Sequence, residues 1–259
     1  MRAAGVTLLH QPGEGIPLFL LHGVGSDAMS WAAALPPGRE VYAWNAPGYA
    51  DSEPLEAGAP TPADYAARLL EVLDELHLTR VVLVGHSLGA LFAGSFAAAH
   101  PGRLAGLGFL SPALGYRVPA GAALPANMQA RIDDLNALGP EEFAKKRAAR
   151  LLFRPEGAAL QGVRRGMAAV NPAGYSQAVR ALAAGDLLAD AARIALPAHV
   201  AIGAQDVVTP PDNAHALHAA LPAPGPLILI PACGHAMAQE CPGATAALLA
   251  SMAREAGDV

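Results

Sequence analysis

One stretch constrains this chain more than any other: Val81-Val82-Leu83-Val84-Gly85-His86-Ser87-Leu88-Gly89-Ala90-Leu91. Val81 to Val84 is a β-branched apolar run of the kind found in a strand covered on both faces. From Leu88 onward the residues are small or apolar helix formers. Between the two lies Gly-x-Ser-x-Gly, centred on Ser87. A strand that turns into a helix this sharply forces its central residue into a strained conformation, and flanking glycines let strand and helix close together. The serine hydroxyl then stands beside a helix N-terminus, where backbone N–H groups are free to meet a developing negative charge. The pattern by itself also fits a glycine-rich turn with an idle serine, so partners have to be found elsewhere in the chain.

Apolar segments alternate with helical ones on both sides of this stretch. Strands are expected at 6–10, 18–21, 40–45, 81–84, 104–110, 199–203 and 227–230. Helices are expected at 27–35, 63–76, from 88 to 99, 212–221 and 244–255. Such alternation predicts an α/β chain with a doubly wound, mostly parallel sheet. From 112 to 196 the rhythm changes, and short helices at 126–138, 140–153, 158–170 and 174–184 are separated by Gly and Pro. The expected organisation is a core built from 1–111 and 197–259, with a helical cap or lid at 112–196. With 259 residues, 53% hydrophobic and 15% charged, the chain has ample material for a packed core.

In parallel α/β sheets ligands sit at the carboxyl ends of the strands. Three polar residues stand at such ends: Ser87, Asp206 and His235. A serine needs a base to take its proton, and an imidazole needs a carboxylate on its other nitrogen to fix its tautomer and stabilise the imidazolium. Asp212 is a rival carboxylate one turn beyond Asp206, at an expected helix start. His22 and His86 border the expected pocket and read as packing or hydrogen-bonding residues. Cys233 and Cys241 form neither a disulfide framework nor a zinc-ligand spacing and read as apolar filler.

Leu20-Leu21-His22-Gly23, Asn45-Ala46-Pro47-Gly48-Tyr49-Ala50-Asp51-Ser52, Gly85-His86-Ser87-Leu88-Gly89, Gly203-Ala204-Gln205-Asp206 with Thr209-Pro210-Pro211, and Cys233-Gly234-His235 with Glu240-Cys241-Pro242 each fall at an expected strand end. Together they resemble serine hydrolases of the α/β-hydrolase fold across nearly the whole chain, in the chain order Ser, Asp, His. The resemblance implies Ser87 as nucleophile, His235 as general base and acid, Asp206 as orienting carboxylate, and the N–H groups of Val24 and Leu88 as an oxyanion hole. Asn45 and Ala50 depart from the common Asp and Gly of that loop. A serine nucleophile sets the chain apart from dehalogenases and epoxide hydrolases of the same fold, which attack with Asp.

The expected substrate is a small ester or lactone, cleaved through an acyl-enzyme by a carboxylesterase or an enzyme like 3-oxoadipate enol-lactonase. A carbon–carbon hydrolase of meta-cleavage products and a non-catalytic small-molecule receptor of this fold are the alternatives. No cofactor or metal is expected. A net charge of −5 argues against nucleic acid as a partner, and the interrupted apolar runs argue against a membrane span. Without a leader-like start, a cytoplasmic location is the expectation; a homodimer is left open.

Charge divides unevenly along the chain. Residues 112–196 hold 11 of the 17 Lys and Arg but 7 of the 22 Asp and Glu, a net of +4 against −9 for the rest. Two readings stand: basic stems lying over an apolar lid that faces an acidic body, or an arginine among Arg117, Arg147, Arg150 and Arg154 that holds a substrate carboxylate.

Overall fold

The computed structural model describes residues 1–257. Eight strands form one sheet: β1 (Arg2–Ala3), β2 (Val6–Gln11), β3 (Glu14–Leu21), β4 (Arg39–Trp44), β5 (Val81–His86), β6 (Leu104–Leu110), β7 (Ala198–Gly203) and β8 (Pro224–Ile230). Their order across the sheet is β1-β2-β4-β3-β5-β6-β7-β8. β1 and β2 pair antiparallel, as do β2 and β4, and the ladders from β4 through β8 are parallel. This is the doubly wound, mostly parallel α/β sheet that the alternating pattern predicts.

The unbroken apolar runs of the central strands follow from burial on both faces. Phe19, Leu21, Val81 and Leu83 point to one core cluster, with α1 (Pro62–Glu75) and α2 (Leu88–Ala99). Leu18, Leu20, Val82 and Val84 point to the other, with Trp31 and the apolar face of α9 (Pro242–Gly257). Successive strand residues alternate sides, so a strand sandwiched between helices has no polar positions to offer. On the first face Tyr65 of α1 stacks on Phe92 of α2 with ring centroids 4.1 Å apart. α1 begins where Pro62 occupies the first helical position and Asp64 Oδ2 accepts the Thr61 N–H at 2.7 Å.

Among the described residues no strand lies between β6 and β7. That segment holds α3 (Ala126–Arg147), a 3-10 turn (Ala148–Leu151), α4 (Gly157–Ala168), α5 (Pro172–Ala184) and α6 (Leu187–Ala191). The helices expected at 126–138 and 140–153 form one run broken at Gly139, whose φ of 74° precedes Pro140. Proline cannot donate into a preceding turn, and the glycine adopts the left-handed backbone that restarts the helix on a new axis.

The remaining differences are local. Residues expected as a helix at 27–35 wind as a 3-10 turn, Ala28–Ala34, capped by Asp27 Oδ1 accepting the Ser30 N–H at 3.1 Å. The two-residue β1, α6 and α8 (Met237–Glu240) carry too few residues to show a period. α7 (Pro211–Ala220) and α9 start one or two residues ahead of expectation, each with proline in its first turn. Among the described residues no helix is long and apolar enough to cross a membrane.

Candidate active site

The parallel strands deliver their carboxyl ends to one edge of the sheet. Ser87 follows β5 directly, with φ 54° and ψ −114°. Two close approaches explain the glycines around it. A Cβ on Gly85 would lie 2.2 Å from the Gly89 carbonyl oxygen, and one on Gly89 would lie 2.4 Å from that of Leu21. The ladder continues past the strand end, since Ser87 N–H donates to Leu110 O at 3.0 Å and Ser111 N–H to Ala201 O at 2.8 Å. Ser87 Oγ makes no hydrogen bond among the described residues.

Asp206 and His235 meet in the next two loops. His235 Nδ1 lies 2.8 Å from Asp206 Oδ2, and both side chains are buried. The other carboxylate oxygen accepts the N–H groups of Val208 (2.8 Å) and Thr209 (2.9 Å). Burial would raise the Asp206 pKa, but the hydrogen bond and charge of His235, with those two N–H groups, outweigh it and hold the carboxyl at about 2. An ionised Asp206 accepts from Nδ1–H, which leaves the Nε2 lone pair of a neutral His235 free. The two loops are tied together: Gln205 N–H donates to Cys233 O at 3.0 Å, and Cys233 N–H donates to Gln205 Oε1 at 3.1 Å. Asp212, the rival carboxylate, sits in the first turn of α7 and has no contact with His235 among the described residues.

Thr209, matched in the sequence only within Thr209-Pro210-Pro211, has a role in the site that the sequence did not assign. Its Oγ1 lies 2.9 Å from Asp206 Oδ2, 3.1 Å from His235 Nδ1 and 3.0 Å from Ser111 O. One hydroxyl therefore touches both members of the pair and anchors them to the end of β6. Only a threonine three residues after an aspartate hinted at it. Glu240, matched only within Glu240-Cys241-Pro242, likewise had no assigned role. Its carboxylate accepts the N–H groups of Gly234 (2.6 Å), Phe153 (3.1 Å) and Arg154 (2.7 Å), joining the His235 loop to the helical segment.

Two further histidines brace the site in neutral form. His86 Nε2 donates to His235 O at 2.8 Å, and burial together with the neighbouring His235 lowers its pKa to about 3. His22 Nδ1 donates to Gly23 O at 2.8 Å while Nε2 accepts the Ala46 N–H at 3.0 Å, a tautomer fixed by its partners. Burial lowers its pKa too. The loop that follows His22 passes over the serine: a Cβ on Gly23 would lie 2.9 Å from Ser87 Cβ. Gly25 N–H donates to the buried Tyr49 hydroxyl at 3.3 Å, which fixes the loop's far side. Neither the Val24 nor the Leu88 N–H donates a hydrogen bond among the described residues. Cys233 is buried and its thiol pKa is pushed up by that burial; Cys241 is half-buried.

Ser87, His235, Thr209 and Val24 open onto one cavity of about 750 Å³, roofed by the helical segment through Met128, Phe143, Met167 and Tyr175. Of the four arginines singled out from the sequence, Arg147 and Arg150 line this cavity. Arg117 and Arg154 lie outside its lining: Arg117 pairs with Asp186 at 3.1 Å, and Arg154 lies over the Phe153 ring at 5.7 Å. Arg131 and Lys146, not singled out, do line it. Arg131 follows Asn127 and Met128 by one helical turn, the spacing that shares a face.

A doubly wound sheet with a serine at a strained strand-to-helix turn, and a buried His–Asp pair two loops away, defines an α/β-hydrolase architecture. The pattern of the alpha/beta hydrolase family matches residues 18–248, and the chain belongs to that family. A relative from Acinetobacter baylyi, (E)-2-((N-methylformamido)methylene)succinate hydrolase, is 30% identical over 209 residues, 76% of this chain and 74% of the relative. Two solved structures share the fold closely. An esterase from Thermogutta terrifontis has a TM-score of 0.85 at 24% identity, covering 97% of this chain and 94% of its own. The enol-lactonase from Burkholderia xenovorans LB400 has a TM-score of 0.83 at 21% identity, covering 98% and 97%.

Proposed function

We propose that this protein is a serine hydrolase that cleaves a small ester or lactone through an acyl-enzyme on Ser87. The observation that carries the reading is the convergence on one cavity of a serine in a strained turn and a histidine whose Nδ1 is 2.8 Å from a buried carboxylate.

In the first half-reaction Ser87 Oγ attacks the substrate carbonyl carbon and passes its proton to His235 Nε2. Asp206, ionised down to about pH 2, stabilises the imidazolium and keeps its orientation. The free N–H groups of Val24 and Leu88 receive the oxyanion, and the positive end of α2 adds to them. Collapse breaks the ester C–O bond, and His235 returns the proton to the leaving oxygen. In the second half-reaction water attacks the acyl carbon, its proton goes to His235, and the acid leaves as Ser87 regains its hydrogen. The helical segment acts as the lid of this cavity. The Acinetobacter relative is named for a succinate derivative, an acidic compound; that supports an acidic substrate here as well.

The test is hydrolysis of p-nitrophenyl butyrate by the wild type and by Ser87→Ala and His235→Ala. Each substitution is expected to lower kcat by about a thousandfold or more with the fold intact by circular dichroism. Wild-type activity that survives Ser87→Ala would refute the assignment.

A further inference from the structure

The cavity that holds Ser87 and His235 is lined by four cationic side chains, Arg131, Lys146, Arg147 and Arg150, and by no Asp or Glu among the described residues. All four come from α3 and the 3-10 turn behind it. They differ in how far the protein neutralises them. Lys146 and Arg147 share Asp134, each at 2.8 Å, and together they hold its carboxyl below the usual range. Arg147 also lies over the Phe143 ring at 5.1 Å. Arg150 is exposed and reaches only the Val207 carbonyl oxygen, at 3.5 Å.

Arg131 is the exception. It is half-buried, yet among the described residues its guanidinium has neither an ion pair nor a hydrogen bond. Its charge acts on the hydroxyls of Tyr49 and Tyr175, two buried residues, and Tyr175 shares the cavity lining with it. A cavity-lining cation that the protein leaves without a counter-ion is available to pair with an anionic group of a ligand. A planar guanidinium offers paired donors to a carboxylate.

We propose that Arg131 is the anchor for a free carboxylate on the substrate, so that the enzyme takes the monoester or lactone of a dicarboxylic acid, with Arg150 adding attraction at the exposed side of the cavity. This rests on the serine-hydrolase reading for the bond that is cleaved, not for the anion that is bound. It also separates the four arginines of the sequence pattern. Arg117 and Arg154 take no part, and Arg147 is paired with Asp134 through Nη2, its buried Nε having no partner among the described residues.

The experiment compares p-nitrophenyl hydrogen glutarate with p-nitrophenyl butyrate. Wild type is expected to favour the acidic ester in kcat/KM. Arg131→Gln is expected to raise KM for it by about tenfold to a hundredfold, the size of a lost charge-assisted contact, with kcat within about twofold and the neutral ester unaffected. Arg131→Lys should recover part of the loss. Arg150→Gln should raise KM by a smaller factor that disappears in high salt, and Arg117→Gln should change nothing. A wild type indifferent to the carboxylate, or an Arg131→Gln variant that weakens both esters alike, would overturn the proposal. Calorimetric titration of glutarate into Ser87→Ala, with and without Arg131→Gln, reads the subsite without turnover. Binding that requires Arg131 supports it even if neither ester is hydrolysed; binding that ignores Arg131, or no binding at all, overturns it.

Discussion

Replacing Ser87 by glycine should make the protein more stable while abolishing its activity. At φ 54° and ψ −114° the serine backbone lies outside the regions that residues with a Cβ favour. A residue held in such a conformation costs about 1–3 kcal/mol. Glycine removes that strain but adds freedom to the unfolded chain, a loss of about 0.5–1 kcal/mol. The hydroxyl makes no hydrogen bond among the described residues, so no polar contact is lost with it. The expected net gain is about 1 kcal/mol, which raises Tm by roughly 2–4 °C in a chain of this size. The comparison that isolates the backbone is Ser87→Gly against Ser87→Ala, because alanine keeps the Cβ and hence the strain. Scanning calorimetry of the three proteins at one concentration and pH provides the reading. A glycine variant that melts at or below the alanine variant would refute the argument that the turn stores strain.

Two further outcomes follow from the His–Asp pair. Because Asp206 titrates at about 2 instead of 3.8, its contribution of about 2 kcal/mol is complete above roughly pH 4 and is lost as pH falls toward 2. Urea unfolding across that window should show wild type losing stability faster than Asp206→Asn, and parallel curves would count against the pairing. Thr209→Val removes the hydroxyl that touches both Asp206 and His235, and kcat should fall about tenfold with KM little changed. Thr209→Ser, which keeps the oxygen, should restore most of the rate; equal losses in the two variants would point to packing alone.

How far the sequence reveals the structure depends on how local the cause is. The central strands are legible because burial on both faces leaves a continuous run such as Val81 to Val84, and the turn at Ser87 is legible because two backbone approaches admit only glycine at Gly85 and Gly89. The pairing of Asp206 with His235 could be anticipated from strand ends alone, since parallel strands bring their carboxyl ends to one edge. The pitch of the turn at Ala28–Ala34 was not legible. Its sequence, Ala-Met-Ser-Trp-Ala-Ala-Ala, has helical composition, and seven residues are too few to separate a period of 3.0 from 3.6. The role of Thr209 was not legible for another reason: it comes from touching Asp206, His235 and Ser111 at once, and those three are far apart in the chain.

The cationic side chains show where sequence patterning stops and geometry takes over. The excess of basic residues at 112–196 is visible in the sequence, but the faces they occupy depend on the break at Gly139 and the 3-10 turn after α3. Lys146, Arg147 and Arg150 follow that break and line the same cavity as Arg131, whereas Arg117, ahead of α3, pairs with Asp186 and Arg154 lies over Phe153. The division of labour then has a physical basis. Ser87, His235, Asp206, Val24 and Leu88 belong to the loops and helix start at the carboxyl edge of the sheet, whose positions are fixed by the hydrogen-bonded core. All four cations belong to the helical insertion, which is held to the His235 loop by Glu240. A change in the insertion can therefore alter which acid is bound without moving the atoms proposed to carry out the hydrolysis, and its effects should appear in KM before they appear in kcat.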